Sequence, residues 1–319
     1  NNTNGLSVSE TEITFDSAQD WTASGIKSLS LNIYGDPDNT GQLYLKINGT
    51  RIDYDGLSDA MQRTAWIPWN IDLSGVAGSL QNVTSLAIGV EGAGATGVIY
   101  LDEIRLYPLT PETITPVIPN DSDPNLVTYY AFEGNANDSQ GNYNGTPTGD
   151  PVYTSGVAGQ ALVLDNVDDL IVNTFDAEVT WPAYSVSLWV KTDLFNQDLY
   201  SSLFNNNSSG ADFQIEVNGN DIYGYRGGGN GQLGPVTSDW VHLTVTCDGT
   251  QTHLYYNGLF VRTVNEAQTQ FGQIAIGANR GMTNLFGGIL DEVRVYNRAL
   301  SNAEAAGLAG ITDEIPLSF

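Results

Sequence analysis

The chain has 319 residues, of which 41% are hydrophobic, and this length suits two domains with cores of ordinary size. It carries 37 acidic and 11 basic residues, and the net charge of −26 excludes nucleic acid and anionic membranes as partners. Cys247 is the only cysteine, which excludes an intrachain disulfide, and no apolar run approaches the roughly 20 residues that membrane insertion needs. Abundant glycine and asparagine, with few strong helix formers, predict an all-β chain.

Residues 6–107 predict a first β domain of short strands separated by turns rich in glycine, aspartate and proline. Apolar residues alternate with polar ones along the strands, and Asn48-Gly49 predicts a two-residue hairpin. The predicted strands lie within residues 6–34, 43–47, 51–54, 66–73, 85–90 and 98–107. We place this domain at residues 1–108.

A proline-rich stretch separates the two predicted domains. Five of the twelve prolines fall between residues 108 and 124, and threonines and acidic residues fill the gaps. Such a composition is typical of a semi-rigid extended linker. We place the linker at residues 109–124.

Residues 125–310 predict a second, larger β domain, followed by a short tail at 311–319. Asn218-Gly219 and Asn257-Gly258 predict two further hairpins. His242 shares one face of its strand with threonines, and we expect it on the surface. A single helix is predicted after the capping box that begins at Ser301. The predicted strands lie at 126–132, 162–164, 170–172, 184–190, 213–217, 222–225, 240–247, 254–256, 259–264, 274–276 and 290–296.

One motif closes both predicted domains. Leu101–Tyr107 reads L-D-E-I-R-L-Y and Leu290–Tyr296 reads L-D-E-V-R-V-Y. Strict alternation along each strand predicts that Leu290 and Glu292 point to one side and Asp291 to the other. Two interpretations of the aspartates stay open. They are solvated charges on closing strands, or Asp102 and Asp291 are ligands for a structural cation, because carboxylate oxygens suit Ca²⁺.

The second domain resembles the bacterial laminin-G-like, concanavalin A-like jelly rolls. The motifs that carry the resemblance include Y-Y-A-F-E-G-N-A-N-D-S near its start, Y-S-V-S-L-W-V, W-V-H-L-T-V-T-C-D-G and L-D-E-V-R-V-Y-N-R-A-L-S at its end. The resemblance implies two packed antiparallel sheets and a rim that binds glycans or proteins. It also implies one structural Ca²⁺ between the loop after the first strand and the last strand. Here that means Asp138 and Asp291, with Glu133 as an additional ligand.

The first domain resembles the galactose-binding-type jelly rolls that precede laminin-G-like domains in large secreted bacterial proteins. The motifs are Q-D-W-T-A-S-G-I-K-S-L-S-L, Y-G-D-P-D-N-T and Y-L-D-E-I-R-L-Y-P. Such modules have more chain before these motifs than the five residues Asn1–Gly5. We therefore expect that the first domain lacks its opening strand or strands. The fold expected for the whole chain is two β-sandwich domains joined by a proline-rich linker.

Catalysis is not expected. Related glycosidases carry closely spaced acidic residues on one strand, because hydrolysis needs two carboxylates facing one sugar bond. The patterns E-x-D-x-E and E-x-D-x-x-E do not occur in this chain. Asp165, Asp168 and Asp169 lack the spacing of an EF-hand loop, which favours an acidic turn over a calcium loop.

Glycan binding needs aromatic side chains at loop-like positions. Each such side chain is either a sugar contact or part of the core or rim packing. The candidates are Trp21, Tyr143, Trp181, Tyr184, Tyr223 and Tyr225.

We expect a non-catalytic extracellular protein for surface attachment or for matrix and filament building. Its partners would be glycans or a cell-surface polysaccharide, and further copies of itself. The alternative is a carbohydrate-binding appendage of a larger secreted glycan-degrading enzyme. For assembly, we hypothesise that another chain or a cleaved upstream segment completes the first domain by strand addition. If the donor is the tail Ile311–Phe319 of a neighbouring copy, whose apolar residues alternate, the contact builds a filament. Two alternatives stay open: the upstream residues are absent from this sequence, or the first domain closes on itself without them.

Overall fold

The structure, a computed structural model, describes residues 6–93, 95–173, 178–193, 197–206, 212–218, 221–227, 229–265, 267 and 270–316. The chain forms two compact units. Unit 1 contains residues 1–115 and 312–319, and unit 2 contains residues 116–311. Asn1–Gly5, the residues before the first predicted strand, lie outside the described residues. Within the described ranges, no helix is long and apolar enough to cross a membrane.

Unit 1 is a β sandwich of two antiparallel sheets. A four-stranded sheet has the order β1-β6-β3-β4, and a three-stranded sheet has the order β5-β2-β7. The strands are β1 Val8–Gln19, β2 Ser28–Tyr34, β3 Gln42–Ile47, β4 Thr50–Asp53, β5 Trp66–Asp72, β6 Val83–Glu91, β7 Tyr100–Tyr107 and β8 Thr113–Ile114. Leu31, Ile33, Leu43 and Leu45 are fully buried between the sheets, as their alternation predicts.

Unit 2 is a larger sandwich with one helix. Its strands are β9 Leu126–Tyr130, β10 Thr146–Thr148, β11 Val152–Ser155, β12 Gln160–Asp165, β13 Leu170–Val172, β14 Val179–Thr180, β15 Tyr184–Thr192, β16 Leu199–Asn205, β17 Gln214–Asn218, β18 Ile222–Arg226, β19 Asn230–Pro235, β20 Val241–Cys247, β21 Thr252–Tyr256, β22 Leu259–Val264, β23 Gln270–Phe271, β24 Ala275–Ile276 and β25 Gly287–Tyr296. The helix α1 is Asn302–Leu308, and β26 Ile315–Pro316 follows in the tail.

The two main sheets of unit 2 enclose one continuous core. One sheet has the order β10-β13-β24-β16-β17-β18-β19. The other has the order β11-β12-β25-β15-β20-β21-β22, with β9 also paired to β25. Inward-facing side chains such as Val186, Leu188, Ile215 and Tyr223 fill the space between the sheets. The prediction of an all-β chain built from sandwich domains is confirmed.

The repeated L-D-E motif is a β-bulge in both units, and the predicted strict alternation is wrong there. Glu103 and Glu292 have left-handed backbones with φ of 56° and 54°. The preceding aspartate accepts the N–H of each glutamate at 2.8 Å. One extra residue in the bulge shifts the alternation. Leu290 therefore faces the core together with Val293, instead of pointing to the same side as Glu292.

The linker and the tail are bound to the units rather than free. β26 pairs with β8 inside unit 1, where Ile315 is buried and lies opposite Ile114. The second half of the linker lies on unit 2, where the N–H of Val117 donates to the carbonyl of Ala303 at 2.8 Å. Donation of the tail to a neighbouring copy would therefore require the β26–β8 pairing to break. Leu317 and Phe319, the other apolar residues of the tail pattern, lie outside the described residues.

Candidate functional site

The outer face of the larger sandwich carries a polar groove over β16 to β19. These four strands are consecutive neighbours in the seven-stranded sheet and pair antiparallel. Alternation along β17 turns Ile215 and Val217 into the core and leaves Glu216 on the outer face. Glu216 lies opposite Gly224 of β18. Rigid strands, not loops, therefore position the side chains of this groove.

An ion pair between Glu216 and Arg226 forms the centre of the groove. Nε of Arg226 donates to Oε2 of Glu216 and Nη2 donates to Oε1, both at 2.9 Å, which is a bidentate arrangement. Gln214 donates from Nε2 to the same carboxylate. The Glu216 side chain is 5% exposed and that of Arg226 is 38% exposed. The hydrogen bonds to Glu216 raise the pKa of Arg226, so the exposed partner keeps its charge.

Tyr200 supplies an aromatic face beside this pair. The guanidinium carbon of Arg226 lies 3.9 Å from the centroid of the Tyr200 ring. Tyr200 has a φ of 68°, which is uncommon for a residue other than glycine, and a bulge shifts the register of β16 at this point. Strained backbone of this kind concentrates at ligand contacts and active sites, because the surrounding structure must stabilise it.

The groove is open and has a volume of about 560 Å³. Gly224 forms part of its floor, and a Cβ at this position would make only ordinary contacts, with Cγ and Oε1 of Glu216 and the carbonyl oxygen of Gly231 at 3.6–3.7 Å. Glycine inside a strand marks a place that another molecule can approach closely. We call this surface the Glu216 groove, and it is defined by Tyr200, Glu216, Asn218, Gly224, Arg226 and Gln232.

Of the predicted aromatic candidates, Tyr225 alone lines the Glu216 groove, although it is 2% exposed. Tyr184, Tyr223 and Tyr225 are buried in the core of unit 2, and Trp21 is buried in unit 1. Tyr143 and Trp181 are half-buried and pack against the core of unit 2. These residues were predicted in loops from their sequence context. That context was misleading, because the position of a residue in the strand pairing decides whether its ring points into the core, even at the end of a strand.

The predicted metal ligand Asp138 has a different role. Oδ1 accepts the N–H groups of Tyr129 and Gln140, and Oδ2 accepts those of Asn142 and Tyr143, at 2.8–3.0 Å. Four donors occupy all the lone-pair positions of one carboxylate. Asp138 therefore holds the loop after β9 in place, and the prediction that it binds Ca²⁺ does not fit this geometry.

The other predicted ligands also accept backbone amides, and Asp291 and Glu133 both do so from residues 157–160. Asp291 is fully buried and its Oδ2 accepts the N–H groups of Val157 and Ala158 at 2.8 and 3.2 Å. Burial raises the pKa of Asp291 to about 6. Glu133 accepts the N–H of Gln160 at 3.1 Å, and Asp102 is an exposed residue of unit 1. Each carboxylate serves a local backbone contact.

A different set of carboxylates fits a cation better. Among the described residues, one group of three metal-ligating side chains has its oxygens within 4.8 Å of one another: Asp150, Asp168 and Asp169. Pairing of Thr148 with Leu170 brings the two segments together. Burial and the charge of Asp165 raise the pKa of Asp169. Three hard oxygen donors that repel one another have the chemistry that Ca²⁺ prefers.

His242 corrects another prediction. It lies on the outer face of β20, but it is 1% exposed rather than on the surface. Its Nε2 lies 2.8 Å from Oγ of Ser187, and its ring centroid lies 5.0 Å from that of Trp189. Burial, and secondarily the charge of Arg294, lowers the pKa of His242 to about 3.

The residues of the Glu216 groove were missed at the level of sequence. Glu216 and Arg226 are ten residues apart and neither belongs to a recognisable motif. The predicted Asn218-Gly219 turn could have indicated that the two residues are close, because strands joined by a hairpin turn pair with each other. In the structure Asn218 itself pairs with Ile222, and Gly219 lies outside the described residues.

Comparisons with known proteins agree with the fold of unit 2. Residues 168–306 match the Laminin_G_3 family, described as the Concanavalin A-like lectin/glucanases superfamily. No curated protein sequence matches the chain.

Similar solved structures include domain 4 of AbnA, a GH43 extracellular arabinanase from Geobacillus stearothermophilus, in complex with arabinotriose. It is 25% identical with a TM-score of 0.48, over 58% of this chain and 98% of that chain. The binding domain of Paraclostridial Mosquitocidal Protein 1 is 18% identical with a TM-score of 0.49. The botulinum neurotoxin serotype G binding domain is 14% identical with a TM-score of 0.46. For both toxin domains the match covers 58% of this chain and about half of the toxin chain, 52% and 51% respectively. The family match lies within unit 2 and covers its larger part, so unit 2 is similar to the concanavalin A-like lectin/glucanase superfamily over residues 168–306.

Proposed function

We propose that this chain is a non-catalytic, extracellular glycan-binding protein and that the Glu216 groove is its contact with the sugar. The observation that carries the proposal is the Glu216–Arg226 pair beside Tyr200 on an open sheet face. Sugar hydroxyls both donate and accept hydrogen bonds. The Arg226 guanidinium, held by Glu216 and 38% exposed, donates, and the exposed side-chain amides of Asn218 and Gln232 donate and accept. The ring of Tyr200 adds an apolar face.

Binding is favoured over hydrolysis by the composition of the groove. Glycoside hydrolysis uses two carboxylates about 5–9.5 Å apart across the scissile bond. Glu216 is the one carboxylate among the described residues that line the groove, and it is held in a bidentate ion pair. A carboxylate fixed in this way positions a ligand but is poorly placed to transfer a proton.

The role that we propose is attachment to a neutral polysaccharide. The net charge of −26 repels anionic polymers, whereas it does not oppose a neutral glycan. Filament building through Ile311–Phe319 is less well supported, because β26 pairs within its own chain. The same groove would serve a carbohydrate-binding appendage of a secreted enzyme, and a catalytic domain in the same gene product would favour that alternative.

We also propose a structural Ca²⁺ in unit 2, held by Asp150, Asp168 and Asp169. The cation would offset the mutual repulsion of the three carboxylates, and Asp169 is 4% exposed. In this proposal Asp138 and Asp291 keep their amide partners and do not contact the cation.

Glycan binding is tested by filling the groove without disturbing its ion pair. The Gly224→Leu variant places a side chain over the floor, where a Cβ has room. Gly281→Leu is the matched control, because a Cβ at Gly281 would also meet no atom closer than 3.4 Å. Full-length protein is applied to an array of neutral and acidic oligosaccharides that includes arabinotriose, and also assayed for release of reducing sugar.

We expect binding of a neutral oligosaccharide that falls at least about tenfold in Gly224→Leu, a loss of about 1.4 kcal/mol, and is unchanged in Gly281→Leu. Equal binding by Gly224→Leu and the unmodified protein would exclude the Glu216 groove. Release of reducing sugar that disappears in Glu216→Gln would show an enzyme instead.

A further inference from the structure

Unit 1 is open along one side of its sandwich. β1 and β7 are edge strands of the two sheets within the described part of unit 1. Ile13 lies opposite Leu86 and faces the interior, yet 57% of it is exposed. Ile104 of β7 is 47% exposed. Apolar side chains that point between two sheets are normally covered by the next pair of strands.

An apolar slot runs between these two edges. It has a volume of about 250 Å³. Aliphatic side chains line it from both sides of the sandwich, and β1 adds a polar margin of Ser9, Glu10 and Thr11. The aliphatic residues are Leu43, Ile88, Val90, Ile99 and Leu101. A second hollow of about 130 Å³ shares Val90 and Ile99 with it and extends it along the edge. Together the two hollows follow the edge of β1, where alternate side chains of an added strand would point.

The edge of β1 is better suited to receive such a strand than the edge of β7. β1 is 12 residues long and keeps a regular register with β6 from Val8 to Thr14. The bulge at Asp102 and Glu103 interrupts the backbone of β7. A regular edge presents its N–H and C=O groups at even spacing, which is what strand addition requires.

The charge of β1 argues against the pairing of β1 with the β1 strand of a second copy of the chain. Glu10 and Glu12 point to the outer face and Asp16 follows in the same strand. Antiparallel pairing of two β1 strands would set acidic residues near acidic residues, which destabilises a sheet. Glu12 and Asp16 have no basic partner among the described residues. Glu10 already pairs with Lys46 at 2.6 Å and accepts the hydroxyl of Tyr44, so Glu12 and Asp16 are the charges of β1 that are complementary to a basic strand.

We propose that unit 1 binds an extended strand of a partner polypeptide by β-strand addition to β1. The partner strand alternates branched aliphatic residues, which fill the slot, with lysine or arginine, which face Glu12 on the outer face. This interaction does not depend on the glycan-binding groove of unit 2.

The probe is a capped twelve-residue peptide that alternates valine and lysine, the length of β1. Its affinity for the full chain is measured by fluorescence anisotropy. Two peptides serve as controls: one has the same composition in two blocks, and one alternates valine and glutamate. Two chain variants are compared. Ile13→Ser changes the interior face of β1, two residues from the slot-lining Thr11, and Val167→Ser changes unit 2, where Val167 is 71% exposed.

We expect the alternating valine–lysine peptide to bind and the two control peptides to bind about tenfold more weakly or not at all, because only alternation places every valine in the slot. Ile13→Ser is expected to weaken binding about tenfold and Val167→Ser to leave it unchanged. Hydrogen exchange of the β1 amides should slow on binding, while that of β19 should not change.

Three results would overturn the proposal. The first is no binding, in which case the acidic residues protect the edge. The second is equal binding of the block and alternating peptides, which would show charge attraction alone. The third is concentration-dependent self-association that Ile13→Ser abolishes and the peptide does not compete with, which would make a second copy the occupant.

Discussion

Replacing Asp138 distinguishes a structural carboxylate from a metal ligand. In Asp138→Ala, the N–H groups of Tyr129, Gln140, Asn142 and Tyr143 lose their shared acceptor. Hydrogen bonds to a charged group contribute about 1.5–3 kcal/mol each, and some of these amides regain water when the side chain is removed. We therefore expect unit 2 to lose about 3–5 kcal/mol of unfolding free energy.

Asp138→Asn should lower the unfolding free energy by less than Asp138→Ala does, because the amide keeps part of the acceptor geometry. The amide keeps one acceptor oxygen, but it places an NH₂ group against the other two N–H donors. We expect a loss of about 2–3 kcal/mol. Asp239→Asn is the matched control, because Asp239 is an exposed carboxylate of unit 2, and we expect it to change the unfolding free energy by less than about 0.5 kcal/mol.

The assay is urea unfolding of the full chain in excess Ca²⁺ and in chelator. If Asp138 is structural, its variants lose the same free energy in both conditions. The Ca²⁺ dependence of the unmodified protein should instead disappear in the double variant Asp150→Asn, Asp168→Asn, because a ligand that binds only the folded state adds stability by mass action. If Asp138→Asn lowered the unfolding free energy in Ca²⁺ but not in chelator, this reasoning would be refuted and Asp138 would be a Ca²⁺ ligand.

Two further substitutions test burial and close packing. The folded-state pKa of His242 is lowered to about 3, so its contribution to stability is present above pH 6.5 and is lost as the pH falls toward 3. The unfolding free energy, measured in urea, should fall between pH 7 and pH 4.5, and His242→Gln should reduce that fall by roughly 2–3 kcal/mol. An unchanged fall would mean that His242 takes up a proton in the folded state. Gly307→Ala should lower the melting temperature although alanine favours helices by about 1 kcal/mol, since a Cβ there would collide with the carbonyl of Val117 and lie 2.7 Å from the nitrogen of Ile118. A higher melting temperature would show that residues 117–118 can move away.

The chain's local chemistry determined its local structure. The Asn48-Gly49 and Asn257-Gly258 turns join strands that pair directly on either side, because both residues of each turn adopt positive φ, between 47° and 79°. The capping box of Ser301 and Glu304 begins the helix as predicted. Alternation of apolar residues identified most strands, because the side-chain period of a strand is set by its backbone alone.

The candidate site could not be predicted in this way. The pairing of Glu216 with Arg226 depends on the register of β17 with β18, and the Tyr200 ring depends on a bulge in β16. The bulge at Asp291 likewise moved Leu290 into the core against the simple alternation. A single extra residue in a strand changes which face every later side chain occupies, and the sequence around it gives no strong signal for that residue.

The sequence by itself determined three things: that the chain is built from β-strands, that its motifs fall into two groups, and that the larger group resembles a known family. Each of these rests on local periodicity and short motifs. The tertiary structure alone decided what the polar residues do. Asp138 is saturated by backbone amides, His242 is buried, and Asp150 meets Asp168 across a strand pair. The physical reason is that a polar side chain has no role until its partners are known, and those partners come from segments that only long-range strand pairing brings within hydrogen-bonding distance.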